Sequence, residues 1–135
     1  MIHLQRDRID IGQVVESVQS SKAGAILLFQ GVTRDNFDGR QVVRLEYEAY
    51  PEMAVAEMNK IKTEVLRRWP TVTISIVHRL GVVPVGECSV VIAVSSPHRQ
   101  EAYEANRFAI DTLKSQVPIW KKEIYTDGTI WKENK

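Results

Sequence analysis

Asp111–Glu123 reads D-T-L-K-S-Q-V-P-I-W-K-K-E. A helix-like run that begins near Pro97 reaches about Lys114. Pro118 cannot continue it, because its ring removes a backbone donor and disfavours the α conformation in the residue before it. The chain therefore leaves the helix and runs extended through Ile119, Trp120 and Lys121. This passage from helix to strand lets Lys114 and Lys121 approach one another from different elements. On opposite faces of one helix they could not. Lys122 points away from Lys121 if the segment is extended, since successive side chains of a strand alternate. By themselves both lysines read as ordinary solvated residues; the rest of the chain decides.

Upstream, Ser95-Ser96-Pro97-His98-Arg99 is a helix start, with Pro97 in the first turn where its missing donor is harmless. Glu101 and Glu104 suit the positive end of the helix dipole. Ala102, Ala105, Ala109 and Leu113 form a stripe of mostly small side chains that allows close approach to a sheet. Before this helix, Cys88–Val94 is almost continuously apolar, the pattern of a central strand covered on both faces. Val83-Pro84-Val85-Gly86-Glu87 reads as a turn, and Val72, Ile74 and Ile76 alternate as a further strand.

Pro51 opens a helix whose buried stripe is Ala54, Met58, Ile61, Val65 and Trp69, closed by Pro70. Val43, Leu45, Tyr47 and Ala49 alternate with Arg44, Glu46 and Glu48, as in a half-buried strand. Ala25–Phe29 reads as a buried strand emptying into the glycine-bracketed loop Gly31–Gly39. Asp10 caps a helix carrying Ile11, Val14, Val15 and Val18, and Ile2–Leu4 is a short first strand. After Trp120, Asp127-Gly128 turns a hairpin that returns through Ile130 and Trp131. The order is β, α, β, β, α, β, β, α, β, β. Strands come singly and in pairs, so the class is α+β with a mixed, mainly antiparallel sheet packed by helices.

The 135 residues make one domain, 1–135, with 44% hydrophobic and 26% charged residues. Eighteen basic residues against 17 acidic ones give a net charge of +1, which supplies no long-range attraction to nucleic acid. No apolar run is long enough to span a bilayer, and the first residues have no signal-peptide architecture. The single cysteine, Cys88, suits a reducing cytoplasm and reads as a buried, inert thiol. His3, His78, His98 and Cys88 show no metal-ligand spacing, and no phosphate-loop, dinucleotide or nucleophile-elbow motif is present.

Three places have the setting of a site: Arg34 in the loop after a strand, His98 and Arg99 at a helix start, and the two lysines. If they converge, the pocket holds several cations and a histidine beside the donors of a helix N-terminus, suited to phosphate or carboxylate. Like-charge repulsion there lowers lysine pKa values and frees an amine to act as nucleophile or base. Against this, Arg34 can pair with Asp35 and Arg99 with a nearby acid, and Trp120 and Trp131 are commonly core or interface.

The chain resembles the large, catalytic subunit of molybdopterin synthase from about Ala25 to Trp131. The resemblance rests on Phe29-Gln30-Gly31-Val32-Thr33-Arg34, Glu46–Met53, His78-Arg79-Leu80-Gly81, Pro84–Glu87, Ser96-Pro97-His98-Arg99 and Leu113-Lys114 with Pro118–Glu123. Two details depart from the commonest pattern: Val-Thr-Arg in the loop, and Pro97 before His98. Neither removes a charged site residue. The resemblance implies an α/β-hammerhead fold and a cytoplasmic sulfurtransferase of molybdenum cofactor synthesis, with no cofactor or metal of its own. Cyclic pyranopterin monophosphate, precursor Z, would become molybdopterin by gaining two dithiolene sulfurs. These would come from the thiocarboxylated Gly-Gly tail of a small ubiquitin-like subunit, one at each end of a homodimer of this chain, making a heterotetramer.

Lys114 and Lys121 are the catalytic lysines that the resemblance implies. Val32, Thr33, Arg34, His98, Arg99, Lys114, Lys121, Lys122 and Glu123 are the implied substrate-binding residues. The sequence leaves open which lysine does which step; if Lys121 is the nucleophile or proton carrier, Lys114 places tail or substrate. The competing reading is a non-enzymatic module that binds an anionic metabolite.

Overall fold

A computed structural model describes residues 1–133. In chain order the elements are β1 (Ile2–Gln5), α1 (Ile11–Glu16), β2 (Ala25–Val32), β3 (Asn36–Phe37), β4 (Arg40–Ala49) and α2 (Pro51–Arg68). There follow β5 (Thr73–Arg79), β6 (Gly81–Pro84), β7 (Cys88–Ser96), α3 (Arg99–Gln116), β8 (Ile119–Tyr125) and β9 (Gly128–Glu133). They build two sheets, one ordered β1-β5-β7-β2 and the other β3-β4-β8-β9 with β6 also paired to β4. Among the described residues β1 and β5 pair in parallel and the other pairings are antiparallel. The α+β class read from the sequence is the one the chain adopts. No described helix is long and apolar enough to cross a membrane.

The main core lies between the first sheet, α2, α3 and the inner residues of the second sheet. The smaller one joins Ile9, Val14 and Val18 to Val77, Val91 and Ala93 on the other face of the first sheet. β7 is therefore covered on both faces, which is why its apolar run is unbroken. The stripe Ala102, Ala105, Ala109 and Leu113 is buried as expected, and small side chains let α3 lie close on β2 and β7. Asn106 fixes the contact: its Nδ2 donates to the carbonyls of Leu27 and Ile92 at 3.3 and 3.1 Å. At the other end Val117 is extended (φ −79°, ψ 127°), as the residue before a proline must be.

Several local expectations are corrected. Ala25–Phe29 is not a buried strand: β2 is an edge strand paired with β7 alone, and Ile26 is exposed. In β4 a bulge between Val42 and Arg44 leaves Val43 without a place in the ladder. Such an extra residue shifts the alternation by one, so Val42 is buried and Val43 exposed. Gly81–Pro84, partly assigned to a turn, is strand β6. Helix α3 begins at Arg99 with His98 as its N-cap, not at Pro97. Ser96 belongs to β7, and its hydroxyl donates to the His98 carbonyl. The hairpin loop is Thr126-Asp127, because Tyr125 pairs with Gly128. Helix α1 stops at Glu16, before Val18, although Val18 is still fully buried. Cys88, expected to be buried, stands at the start of β7 and is only half-buried.

Candidate active site

In the second sheet a row runs across three strands, Tyr47 beside Lys121 beside Lys132. The next row on the same face holds Leu45, Glu123 and Ile130. Across from this face stands the last turn of α3 with Lys114, and the mouth is formed by Gly31, Val32, Arg34 and Phe37 after β2. Together with Asn36, Val42 and Ser89 these residues enclose a cavity of about 200 Å³. Helix and strand thus deliver Lys114 and Lys121 to one space, as the Pro118 break predicts. Three cations, Arg34, Lys114 and Lys121, face it against one carboxylate, Glu123.

The two lysines differ in their surroundings. Burial, and after it the charge of Lys121, lowers the pKa of Lys114 to about 8. Like-charge repulsion, the cause expected from the sequence, is the lesser of the two. At pH 7 about a tenth of such a lysine is the free amine, roughly three hundred times the fraction in an ordinary lysine. Lys121 instead lies 3.5 Å from Glu123, with its side chain 18% exposed. Glu123 also pairs with Lys132 at 3.0 Å and accepts a hydrogen bond from the Tyr125 hydroxyl at 2.8 Å. Burial pushes the Glu123 carboxyl up, but the bonds from Lys132 and Tyr125 and the charges of both lysines outweigh it and hold the pKa below the usual range. Glu123 is thus an anchor for cations.

Thr33 is buried, with its hydroxyl donating to the Val83 carbonyl at 3.4 Å. Its backbone N–H donates to Glu87 and its carbonyl accepts from Gly86. It ties down the loop that carries Arg34, which lies 5.4 Å over the Phe37 ring. Lys122 faces the other side of the sheet, 5.5 Å over the Trp131 ring. His98 and Arg99 do not join the lysines within one chain. They line a separate cavity with Gly24, Ala25, Pro97 and Gln100, at the opposite end of α3. Arg99 and Lys114 stand fifteen positions apart along the helix, roughly 22 Å at the α-helical rise. The sequence reading missed Tyr47, Phe37, Ser89 and Lys132. Of these Lys132 was within reach, because a two-residue hairpin loop at Thr126-Asp127 puts it opposite Lys121.

Fold and cavity define an α+β protein with a cationic cavity between two sheets, where Lys114, its pKa lowered by burial, stands with Arg34 and Lys121. A sequence profile of the family described as MoaE protein matches residues 4–116. The molybdopterin synthase catalytic subunit of Taeniopygia guttata is 56% identical over 99% of this chain and 87% of its own length. The crystal structure of molybdopterin synthase from Staphylococcus aureus superposes with a TM-score of 0.92 at 42% identity, covering 96% of this chain and 94% of that one. A complex of subunits 1 and 2 of the molybdopterin-converting factor from Helicobacter pylori shares the fold, with a TM-score of 0.80 at 20% identity over 99% of this chain and 91% of that one. The chain belongs to the MoaE family, the catalytic subunits of molybdopterin synthase, enzymes of molybdenum cofactor synthesis. Membership sets aside the non-enzymatic binding module.

Proposed function

We propose that the chain transfers sulfur to cyclic pyranopterin monophosphate, drawing it from the thiocarboxylated C-terminal tail of a small ubiquitin-like subunit in the cytoplasm. The observation that carries this is the meeting of Lys114 and Lys121 in one cavity, with Lys114 near pKa 8. Substrate phosphate and incoming tail are both anions, and the cavity presents three cations to them. Holding two anions together is itself catalytic, since it replaces an encounter between like charges by a preorganised one. The thiocarboxylate sulfur bonds to a side-chain carbon of the pterin as that carbon's bond to oxygen breaks, the oxygen leaving with the opened phosphate or as water, which gives a thioester bond between tail and pterin. That bond then breaks at the acyl carbon, with sulfur staying on the pterin. A neutral Lys114 either takes the proton of the attacking water or attacks the acyl carbon itself. Lys121, fixed by Glu123, holds negative charge.

The substrate-binding set implied by the family divides accordingly. Val32, Arg34, Lys114, Lys121 and Glu123 line the lysine cavity, while Thr33 braces it. Lys122 stands outside it. His98 and Arg99 belong to the set if a second copy of the chain brings the start of its α3 to this cavity. The homodimer does this economically, because a two-fold axis exchanges the ends of paired elements. Exposed apolar residues on the outer face of the second sheet, Val82 and Trp131, with Tyr50 and Met53 nearby in sequence to β4, supply surface for such contacts.

Mixing the chain with a thiocarboxylated small subunit and the pterin precursor tests the reading directly. Dithiolene formation in single turnover is expected, and Arg34→Ala is expected to weaken precursor binding roughly tenfold to a hundredfold, the worth of one charge-assisted contact. Absence of sulfur transfer with both partners intact would overturn it.

A further inference from the structure

His78, on β5 between β1 and β7, is wholly buried. Its Nδ1 lies 2.8 Å from the backbone carbonyl oxygen of Arg79. A carbonyl oxygen only accepts, so Nδ1 carries the ring proton and donates it. In a neutral imidazole this leaves Nε2 as an acceptor with no proton of its own. The ring is neutral near pH 7: burial lowers its pKa most, the bond to Arg79 raises it, and the charge of Lys114 lowers it again, to about 4. Tyr47, which lines the lysine cavity, meets the imidazole edge to face at 5.1 Å.

A buried acceptor needs a donor. Among the described residues, the buried side-chain polar atoms without a partner are Arg79 Nε and Glu101 Oε2, so Nε2 of His78 is not among them. Of the nearby hydroxyls, Ser89 donates to the Gly31 carbonyl at 3.3 Å, and Tyr47 meets the imidazole ring edge to face. Lys114 acts electrostatically on the ring and carries three donors on one nitrogen. We propose that Lys114 Nζ donates a hydrogen bond to His78 Nε2, which makes His78 the positioning residue of the catalytic lysine. This rests on the role given to Lys114 above.

His78 is not the proton acceptor of the reaction. Its pKa of about 4 against about 8 for Lys114 makes transfer between them unfavourable about ten-thousandfold. Its effect is directional. A neutral amine that spends one N–H on Nε2 has its lone pair off that axis, free to face the cavity. The same bond favours the ammonium, so it opposes the burial that lowers the pKa of Lys114.

Nitrogen-15 NMR of the intact chain tests this without any substrate. His78 is expected as the Nδ1–H tautomer, and Lys114 is expected to titrate near 8. His78→Phe keeps a ring against Tyr47 but removes the acceptor, so the Lys114 midpoint should fall by roughly half a pH unit or more. His78→Gln offers an amide oxygen near the Nε2 position and should restore much of the midpoint. Lys121 and Glu123 on β8, Tyr47 on β4 and Arg34 in the mouth loop face the cavity in every variant. An Nε2–H tautomer in the wild type, or a Lys114 midpoint unmoved in folded His78→Phe, would overturn the proposal. Should the phenylalanine variant not fold, the tautomer and the glutamine variant decide. In single turnover His78→Phe should be slowed about tenfold or more with precursor affinity unchanged. An unmoved midpoint in His78→Phe alongside normal sulfur transfer by the wild-type chain sinks this inference alone, whereas a shifted midpoint in His78→Phe with no sulfur transfer by the wild-type chain sinks the proposed reaction alone.

Discussion

Lys114 and Lys121 carry the same formal charge and are distinguished only by their surroundings. If the free amine of Lys114 is needed, Lys114→Arg should fail almost as badly as Lys114→Ala, because arginine stays protonated at any working pH. Lys121→Arg keeps the cation opposite Glu123 and should retain part of the activity that Lys121→Ala loses. Lys122→Ala, over Trp131 on the other face, should be nearly silent. Single-turnover sulfur transfer ranks the variants, and full activity in Lys114→Arg would reduce that residue to a charge. The stability side has a definite sign. The folded pKa of Lys114, about 8, lies below its ordinary value of 10.5. Between those values the unfolded chain binds more protons than the folded one, so stability rises with pH there and a penalty is fully present below pH 8. Lys114→Met should therefore raise the melting temperature at pH 7 while abolishing activity, with the gain shrinking as pH approaches 10.5. The residue types of this site were legible in the sequence, but their division of labour was not. Burial of Lys114 depends on Tyr47, Ser89 and the mouth loop arriving from distant parts of the chain.

Elements were read well where one periodicity governs a whole segment. The stripes of α2 and α3 and the two-sided burial of β7 followed directly from residue spacing. They were read badly where a local event changes parity or where spatial order matters. The bulge at Val43 reverses the faces of β4 on either side of it, and nothing in the alternation announces it. An apolar run such as Ala25–Phe29 does not say whether a strand has one neighbour or two. The close approach of β2 to the start of α3 is a consequence of the same packing. A Cβ built on Gly24 would lie 2.6 Å from the Pro97 backbone oxygen, and the Gly24 N–H donates to Ser96 at 3.0 Å. Backbone cannot swing aside as a side chain would. Gly24→Ala is accordingly expected to destabilise the fold by about 1–3 kcal/mol, the usual range for overpacking. Urea unfolding checks this: the midpoint should fall with the slope unchanged, and an unchanged midpoint would mean that the start of α3 gives way freely.

At the scale of the whole molecule, α3 is a spacer with cationic groups at both ends, Arg99 at its start and Lys114 in its last turn. The sequence alone suggested that the ends could meet through folding, but a straight helix of this length prevents it within one chain. A homodimer that joins the start of one α3 to the lysine cavity of its partner makes a quantitative prediction. Lys114→Ala and Arg99→Ala chains are each expected to be inactive as homodimers. Co-expressed in equal amounts, they should form about half mixed dimers if assembly is random, as for a symmetric pair. In each mixed dimer one cavity carries both lesions and the other carries neither. One cavity in two, in half the dimers, restores about a quarter of the wild-type activity. If each chain instead completed its own site, every cavity would hold one lesion and the mixture would stay inactive. The measurement is sulfur transfer per cavity in the purified mixture, with the proportion of mixed dimers counted by native mass spectrometry. Activity that rises in step with that proportion places Arg99 in the partner's site; none at any proportion removes it from there.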